Sequence, residues 1–282
     1  MDEQRRYWDE QLETVAPARR RLLREHRLAW QLRRCWDGSP FYRARLEAAG
    51  LDPATFNGLS DWQRLPILRA TDLPRREGQA PASSWAVAPP EWAHVLRNQS
   101  SRPPRLLTDG DNIHEEDLVA RALWEGGVRS ATGGLTSFTS VTVDGIEWAS
   151  VIIGGAGRIE TSTSGVRGDP PGAHQAIWTD IWPRFDETDI YPVAAVAVTF
   201  TPTVAFTCAD ERRLHWIDDH FLIETVDPTS GEPVQEGEVG AALLTDLTRE
   251  GSPLLRYWTG LEAALSEEPC RCGRTSMHSR FV

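Results

Sequence analysis

Three of the four cysteines and one histidine fall in two short clusters near the C-terminal end, and no other feature constrains the fold as strongly. Cys270 and Cys272 flank a single arginine, so both thiols sit on one tight turn; Cys208 lies far upstream, with His215 following it by seven residues. Three soft sulfurs and an imidazole suit tetrahedral zinc and leave no position for a catalytic water, so such a site is structural. Its binding free energy is on the order of 10 kcal/mol, enough to dominate the stability of this end of the chain. The alternative is that Cys270 and Cys272 stay free or form a redox pair. Cys35 stands alone among helical residues.

An absence is equally informative: all thirty basic residues are arginine. Within these residues no Schiff-base lysine, P-loop lysine or lysine that neutralises an acyl-adenylate is available. A net charge of −11 argues against general nucleic-acid binding, which rests on clustered positive charge. Arg19, Arg20 and Arg21 belong to a local run of arginines set at helical spacing among Leu22, Leu23, Leu28 and Leu32, which reads as a solvated helix face. No stretch reaches the roughly eighteen apolar residues a membrane span needs, and Met1 to Arg6 run into charge rather than a signal segment, so a soluble cytoplasmic protein is expected.

At 40% hydrophobic residues the chain has enough apolar material for a real core. Two helices are predicted before Gly50, the second starting at Ser39-Pro40, and Thr71-Asp72-Leu73 reads as a short helix start. Residues 78–105 have loop composition, and a further helix is predicted from Asp111, as its cap, to Glu125. Val141, Val143, Ile146 and Val151 to Ile153 read as buried strands. From Tyr191 onward the alternation is mostly β, through Val193–Val204, Phe221–Val226 and Ala241–Leu247. The expected organisation is an N-terminal helical segment over 1–77, an α/β core over 78–190 with a mixed sheet, and a β-rich zinc-binding part over 191–282.

Three further clusters are candidates for chemistry. Gly154-Gly155-Ala156-Gly157 follows a strand, but with no Lys-Ser/Thr pair behind it the segment reads as a tight turn rather than a phosphate cradle. In His215-Trp216-Ile217-Asp218-Asp219-His220-Phe221, followed by Glu224, carboxylates stand beside imidazoles; a strand would put His220 and Glu224 on one face. Twelve tryptophans, among them Trp85, Trp92, Trp124, Trp148, Trp178 and Trp182, read as core or interface, with an aromatic ligand pocket as the alternative.

Together these residues resemble the phenylacetate–coenzyme A ligase branch of the adenylate-forming enzymes. The entry segment Tyr7-Trp8-Asp9, then Ser39-Pro40-Phe41-Tyr42-Arg43, Leu51-Asp52-Pro53 and Leu65-Pro66, looks like that family's N-terminal signature. The stronger match runs through Asp219-His220-Phe221, Asp227-Pro228, Gly231-Glu232-Pro233, Gly237-Glu238-Val239-Gly240, Leu247-Thr248-Arg249-Glu250, Pro253 to Tyr257 and Cys270 to Arg274. The resemblance implies an adenylate-forming ligase core in which Cys208, His215, Cys270 and Cys272 hold a structural zinc ion.

The departures from the family pattern shape the functional expectation. The Ser/Thr/Gly-rich phosphate loop falls at Gln99-Ser100-Ser101-Arg102-Pro103-Pro104, the magnesium-binding acid motif at Tyr191-Pro192-Val193-Ala194-Ala195, and the ribose-binding Asp at Leu261. The family's small C-terminal domain is expected to be absent. The leading expectation is therefore an ATP-independent enzyme of specialised metabolism, without ATP or Mg2+, acting by transfer, cyclisation or hydrolysis on an aryl or acyl group presented as a coenzyme A or carrier-protein thioester. Tyr191 and His220 are its candidates for polar catalytic roles. The alternatives are a non-catalytic subunit of a biosynthetic complex, acting through a partner or as a homo-oligomer, and an aryl–coenzyme A ligase.

Overall fold

The computed structural model describes residues 5–74, 85–96, 105–125, 135–143, 146–153, 157–162, 176–179, 193–198 and 201–279. In chain order the helices are α1 (Glu10–Glu13), α2 (Pro17–Gly38), α3 (Pro40–Ala48), α4 (Leu59–Trp62) and, after two short strands β1 (Ala93–Leu96) and β2 (Arg105–Thr108), α5 (Asp109–Glu125). Then follow β3 (Leu135–Val143), β4 (Ile146–Ile153), β5 (Gly157–Ser162), β6 (Ala176–Thr179), β7 (Val193–Val198), β8 (Thr201–Thr207), β9 (Leu214–Trp216), β10 (Phe221–Val226), β11 (Val239–Asp246), β12 (Tyr257–Ser266) and β13 (His278–Ser279). The architecture is mixed α/β. Among the described residues no helix is long and apolar enough to cross a membrane.

The chain forms two compact units that interleave in sequence. One comprises Met1–Val15, Glu115–Ile217 and Ala263–Val282, the other Ala16–His114 and Asp218–Glu262.

The second of these is organised by α2. Pro17 suits the first turn, where its missing N–H is an orphan in any case. At the other end Ser39 breaks the helix in an extended conformation and caps α3 through its hydroxyl, 3.4 Å from the Tyr42 amide. Leu28, Leu32 and Cys35 face inward as the spacing predicts, whereas Leu22 is 66% exposed. The arginine run corrects the solvated-face expectation in part. Arg19 and Arg21 are exposed. Arg20 and Arg24 lie one turn apart on the buried face, where Asp218 meets them at 2.7 and 3.4 Å. Helical spacing tells which residues share a face; it cannot tell that a carboxylate nearly two hundred positions away will be waiting there. Gln31 and Arg34 extend the same seam by donating to the carbonyl of Arg249 at 2.8 and 3.0 Å.

Beneath α2, β10 and β11 pair antiparallel from Phe221 opposite Asp246 to Val226 opposite Ala241. The residues of β11 after Val239 are all buried, the pattern of a strand covered on both faces. Thr71 to Leu73 form a turn rather than a helix start, since the Asp72 carboxylate accepts the Arg69 amide at 2.8 Å and closes it. Asp111 is not the cap of α5, which begins at Asp109. Its buried carboxylate instead gathers three amides: Thr108 at 3.0 Å, Glu250 at 2.7 Å and Gly251 at 2.8 Å. Gly251 is required there, because a Cβ would collide with the Leu106 carbonyl.

In the other unit β3, β4 and β5 form a three-stranded antiparallel sheet, which agrees with the strands expected between Val141 and Ile153. The stretch expected as one strand from Val193 to Val204 is a β7–β8 pair, antiparallel, with β6 parallel to β7. β8 pairs with β9, β9 with β13, and β13 with the end of β12, all antiparallel. This order sets His215 opposite His278 in mid-sheet.

Candidate metal centre

The hairpin between β8 and β9 carries Cys208 and His215. Its loop is closed by reciprocal amide bonds, Cys208 to the Arg213 carbonyl and Arg212 to the Cys208 carbonyl, each 3.0 Å. Arg212 adopts φ 53° to make the turn. Cys270-Arg271-Cys272-Gly273 forms a second tight turn, with the Gly273 amide bonded to the Cys270 carbonyl at 2.9 Å. Glycine is needed at 273 twice over: φ is 84°, and a Cβ would strike the Tyr7 hydroxyl.

These turns bring Cys208, His215, Cys270 and Cys272 together with all four ligand atoms within 4.8 Å of one another, and all four residues are buried. The spacing fits a tetrahedral ion. Metal–sulfur bonds of about 2.3 Å and a metal–nitrogen bond of about 2.0 Å place ligands roughly 3.8 Å apart for S···S and roughly 3.5 Å for S···N. Cys208 and Cys270 are 3.7 Å apart, and Cys272 lies 3.4 Å from His215 Nε2.

The surroundings fix each ligand. His215 Nδ1 lies 3.0 Å from the hydroxyl of Ser276, which leaves Nε2 as the metal-facing nitrogen. The Arg274 amide donates to Cys272 Sγ at 3.4 Å, and the Tyr7 hydroxyl donates to the Cys272 carbonyl at 2.7 Å. Glu211, held by Arg213 at 2.8 Å and Arg271 at 3.2 Å, lies 3.4 Å from Cys270 Sγ. Within the cluster the Cys208 pKa is lowered, chiefly by hydrogen bonding from Cys272 and further by His215. The Cys270 thiol is pushed up to about 11 by burial. A cation at the centre would favour the thiolate form of all three.

Behind the turn, Arg274 is buried between Glu13 at 2.7 Å and Glu125 at 2.9 Å and stacks on Tyr7 and Phe206. Tyr7-Trp8-Asp9 thereby acquires a physical role: Tyr7 clamps the turn, the Trp8 indole donates to Asp117 at 2.7 Å, and Asp9 caps α1 by accepting the Leu12 amide at 3.0 Å. Ser276, Glu211 and Arg274 escaped the ligand argument because none is a metal ligand; proximity to Cys272 in the sequence was the only signal for two of them.

The remaining candidates are placed as follows. His220 is buried in the turn before β10 rather than on a strand with Glu224. Its Nδ1 is 2.9 Å from the Thr248 hydroxyl and its Nε2 is 3.7 Å from Asp219. Leu261 is buried in β12, its amide bonded to the Thr259 hydroxyl at 3.0 Å. Trp85 and Trp124 are core residues, while Trp92 is 70% exposed. Tyr191, the loop 99–104 and Gly154 to Ala156 lie outside the described residues.

No family model matches the chain. Among curated proteins it shares 32% identity with the phenylacetate–coenzyme A ligase of Thermus thermophilus, over 94% of this chain and 70% of that protein. It shares 27% with the phenylacetate–coenzyme A ligase of Escherichia coli, over 88% and 68%. Among solved structures, 2-hydroxyisobutyryl-CoA ligase in an open conformation with 2-HIB-AMP and CoA superposes with a TM-score of 0.76, at 19% identity, over 99% of this chain and 79% of that one. The same ligase in its postadenylation state with 2-HIB-AMP gives 0.73. The fold is that of the adenylate-forming ligases.

These relatives overturn the expectation of an ATP-independent enzyme acting on thioesters, together with its exclusion of ATP and Mg2+. That expectation inferred lost chemistry from three substituted motifs. Phosphate recognition rests largely on backbone N–H groups and helix termini, which side-chain substitution leaves in place; Gln99 to Arg102 retain four amides.

Proposed function

The chain belongs to the phenylacetate–coenzyme A ligase family, and from that premise we propose that it is an ATP-dependent ligase joining an aryl carboxylic acid to coenzyme A. The similarity to the Thermus thermophilus enzyme, which runs over 94% of the chain, carries this reading. ATP would activate the carboxylate as an acyl-adenylate with release of pyrophosphate, and the thiol of coenzyme A would then displace AMP. With arginine as the sole strong cation in the sequence, guanidinium groups are what these residues offer to phosphate.

The Cys208, His215, Cys270 and Cys272 set would hold zinc in a structural role. Four protein ligands complete a tetrahedron and leave no site for water or substrate. When bound, the ion cross-links the β8–β9 hairpin to the Cys270–Gly273 turn.

The test is ATP–pyrophosphate exchange with phenylacetate and related aryl acids, with coenzyme A thioester formation followed by mass spectrometry. Acid-dependent exchange with thioester product is expected. Absence of exchange with every acid, in protein whose zinc content is confirmed, would defeat the ligase reading. Tyr191→Phe and His220→Ala in the same assay test the polar roles proposed for those two side chains.

A further inference from the structure

Away from the metal centre, α2, the first turns of α5 and the loop after β11 line an open pocket of about 260 Å3. That lies just under the lower end of the roughly 300–1,000 Å3 of small-molecule sites. His26, Arg27, Trp30, His114, Leu247, Thr248 and Glu250 line it, and neither the ligase reading nor the zinc set uses any of them. We propose that this pocket binds a planar nitrogen heteroaromatic bearing an exocyclic amine, a purine-type ring.

Three features define the chemistry. Trp30 is 45% exposed at the pocket wall, and the Arg34 guanidinium lies 4.7 Å over its ring, so one aromatic surface is already propped in place. Such a surface stacks on a flat π-system. Leu22, 66% exposed, shares the outer face of α2 with His26 and Trp30 at four-residue spacing; Ile113, 65% exposed, is the neighbour of His114 in α5.

The polar groups supply an edge to read. The Glu250 carboxylate takes the Thr108 hydroxyl on Oε2 at 2.7 Å and offers its second oxygen as an acceptor for an amine N–H. His114 Nδ1 is buried without a hydrogen-bond partner. Burial holds that imidazole neutral by lowering its pKa, so it presents one hydrogen-bonding nitrogen rather than a charge.

Other ligand classes fit less well. A wholly apolar ring would desolvate Glu250 and offer no hydrogen bond to the His114 imidazole. A bare carboxylate or phosphate would meet the Glu250 anion, and the Arg27 guanidinium already donates to the Asp219 carbonyl. A heteroaromatic amine satisfies the stacking wall, the acceptor and the imidazole together. The ring can arrive free or as the base of a nucleotide.

The experiment titrates adenosine, AMP and purine riboside, which lacks the amine, into wild-type protein and into Trp30→Ala, His114→Ala and Glu250→Gln, by ligand-observed saturation-transfer NMR. Thermal melts confirm that each variant is folded. Adenosine is expected to bind wild type, to bind each folded variant at least 5-fold more weakly, and to lose its preference over purine riboside in Glu250→Gln. AMP binding more tightly than adenosine in the same variant-sensitive way would identify a nucleotide as the occupant; equal binding would identify the free base or nucleoside. No adenosine binding to wild type at millimolar concentration overturns the proposal. So does binding that all three folded variants retain, because that places the ring elsewhere, as in a ligase nucleotide site. Neither result bears on pyrophosphate exchange, so this site and the ligase reading fail separately.

Discussion

Replacing Ser276 with alanine isolates the contribution of one hydroxyl to the metal centre. Ser276 is no ligand, yet it lies 3.0 Å from His215 Nδ1 and is 9% exposed, so in the variant that imidazole N–H loses its partner in a buried site. Two routes give the same magnitude. Leaving a buried donor unsatisfied costs about 1–3 kcal/mol. Loss of a group that orients a metal ligand typically weakens binding by about 10–100-fold, which is about 1.4–2.7 kcal/mol. The expected outcome is a zinc dissociation constant raised 10–100-fold, measured by competition with a chromophoric chelator at pH 7.5, while Ser276→Thr, which keeps the hydroxyl, stays close to wild type. Cys272→Ala, which deletes a ligand buried at 0% exposure, should weaken binding much further. Unchanged affinity in Ser276→Ala would refute the positioning argument. Unchanged affinity in both variants would refute the metal centre itself.

Two further outcomes follow from the other unit. Asp218→Ala removes the buried carboxylate that meets Arg20 and Arg24, whose side chains are 3% and 7% exposed, and breaking such a buried pair costs about 3–5 kcal/mol; a fall in melting temperature of roughly 6–20 °C is expected, and a fall under about 3 °C would show the pair to be idle. His114 titrates below its ordinary 6.5 chiefly through burial, with Arg249 and Arg27 lowering it and Asp111 and Glu250 opposing them. Because the folded pKa is the lower one, the stability linked to His114 is complete above pH 6.5 and is lost as pH falls through the folded value. Melting temperature between pH 7.5 and 5 should therefore decline less steeply in His114→Gln than in wild type, and identical slopes would refute the linkage.

Much of the candidate site was legible because its chemistry resides in residue type and short spacing. Two thiols separated by one residue stay close together in a turn or on one face of a strand, and a third thiol with a nearby imidazole offers the remaining ligands of a tetrahedral set. The family was legible for a related reason: turn residues such as Asp227-Pro228 and Gly231 occupy positions that few residue types tolerate, so their order survives. Reading the reaction from missing side chains failed; at the phosphate loop the reason is that recognition by backbone groups leaves little trace in the identity of the residues.

The short spacings of Cys208 with His215 and of Cys270 with Cys272, the two N-terminal helices and the β-rich C-terminal part were determined by the sequence itself, since these patterns act over a few residues, whereas the meeting of the two ligand pairs across 62 positions is tertiary. Only the tertiary structure decided that Arg20 and Arg24 turn inward onto Asp218, that Asp111 gathers the Glu250 loop, and that Tyr7 clamps the Cys272 turn. Each of these joins residues more than a hundred positions apart, and their energies arise from desolvation and hydrogen bonding that exist only once the chain has brought the partners together.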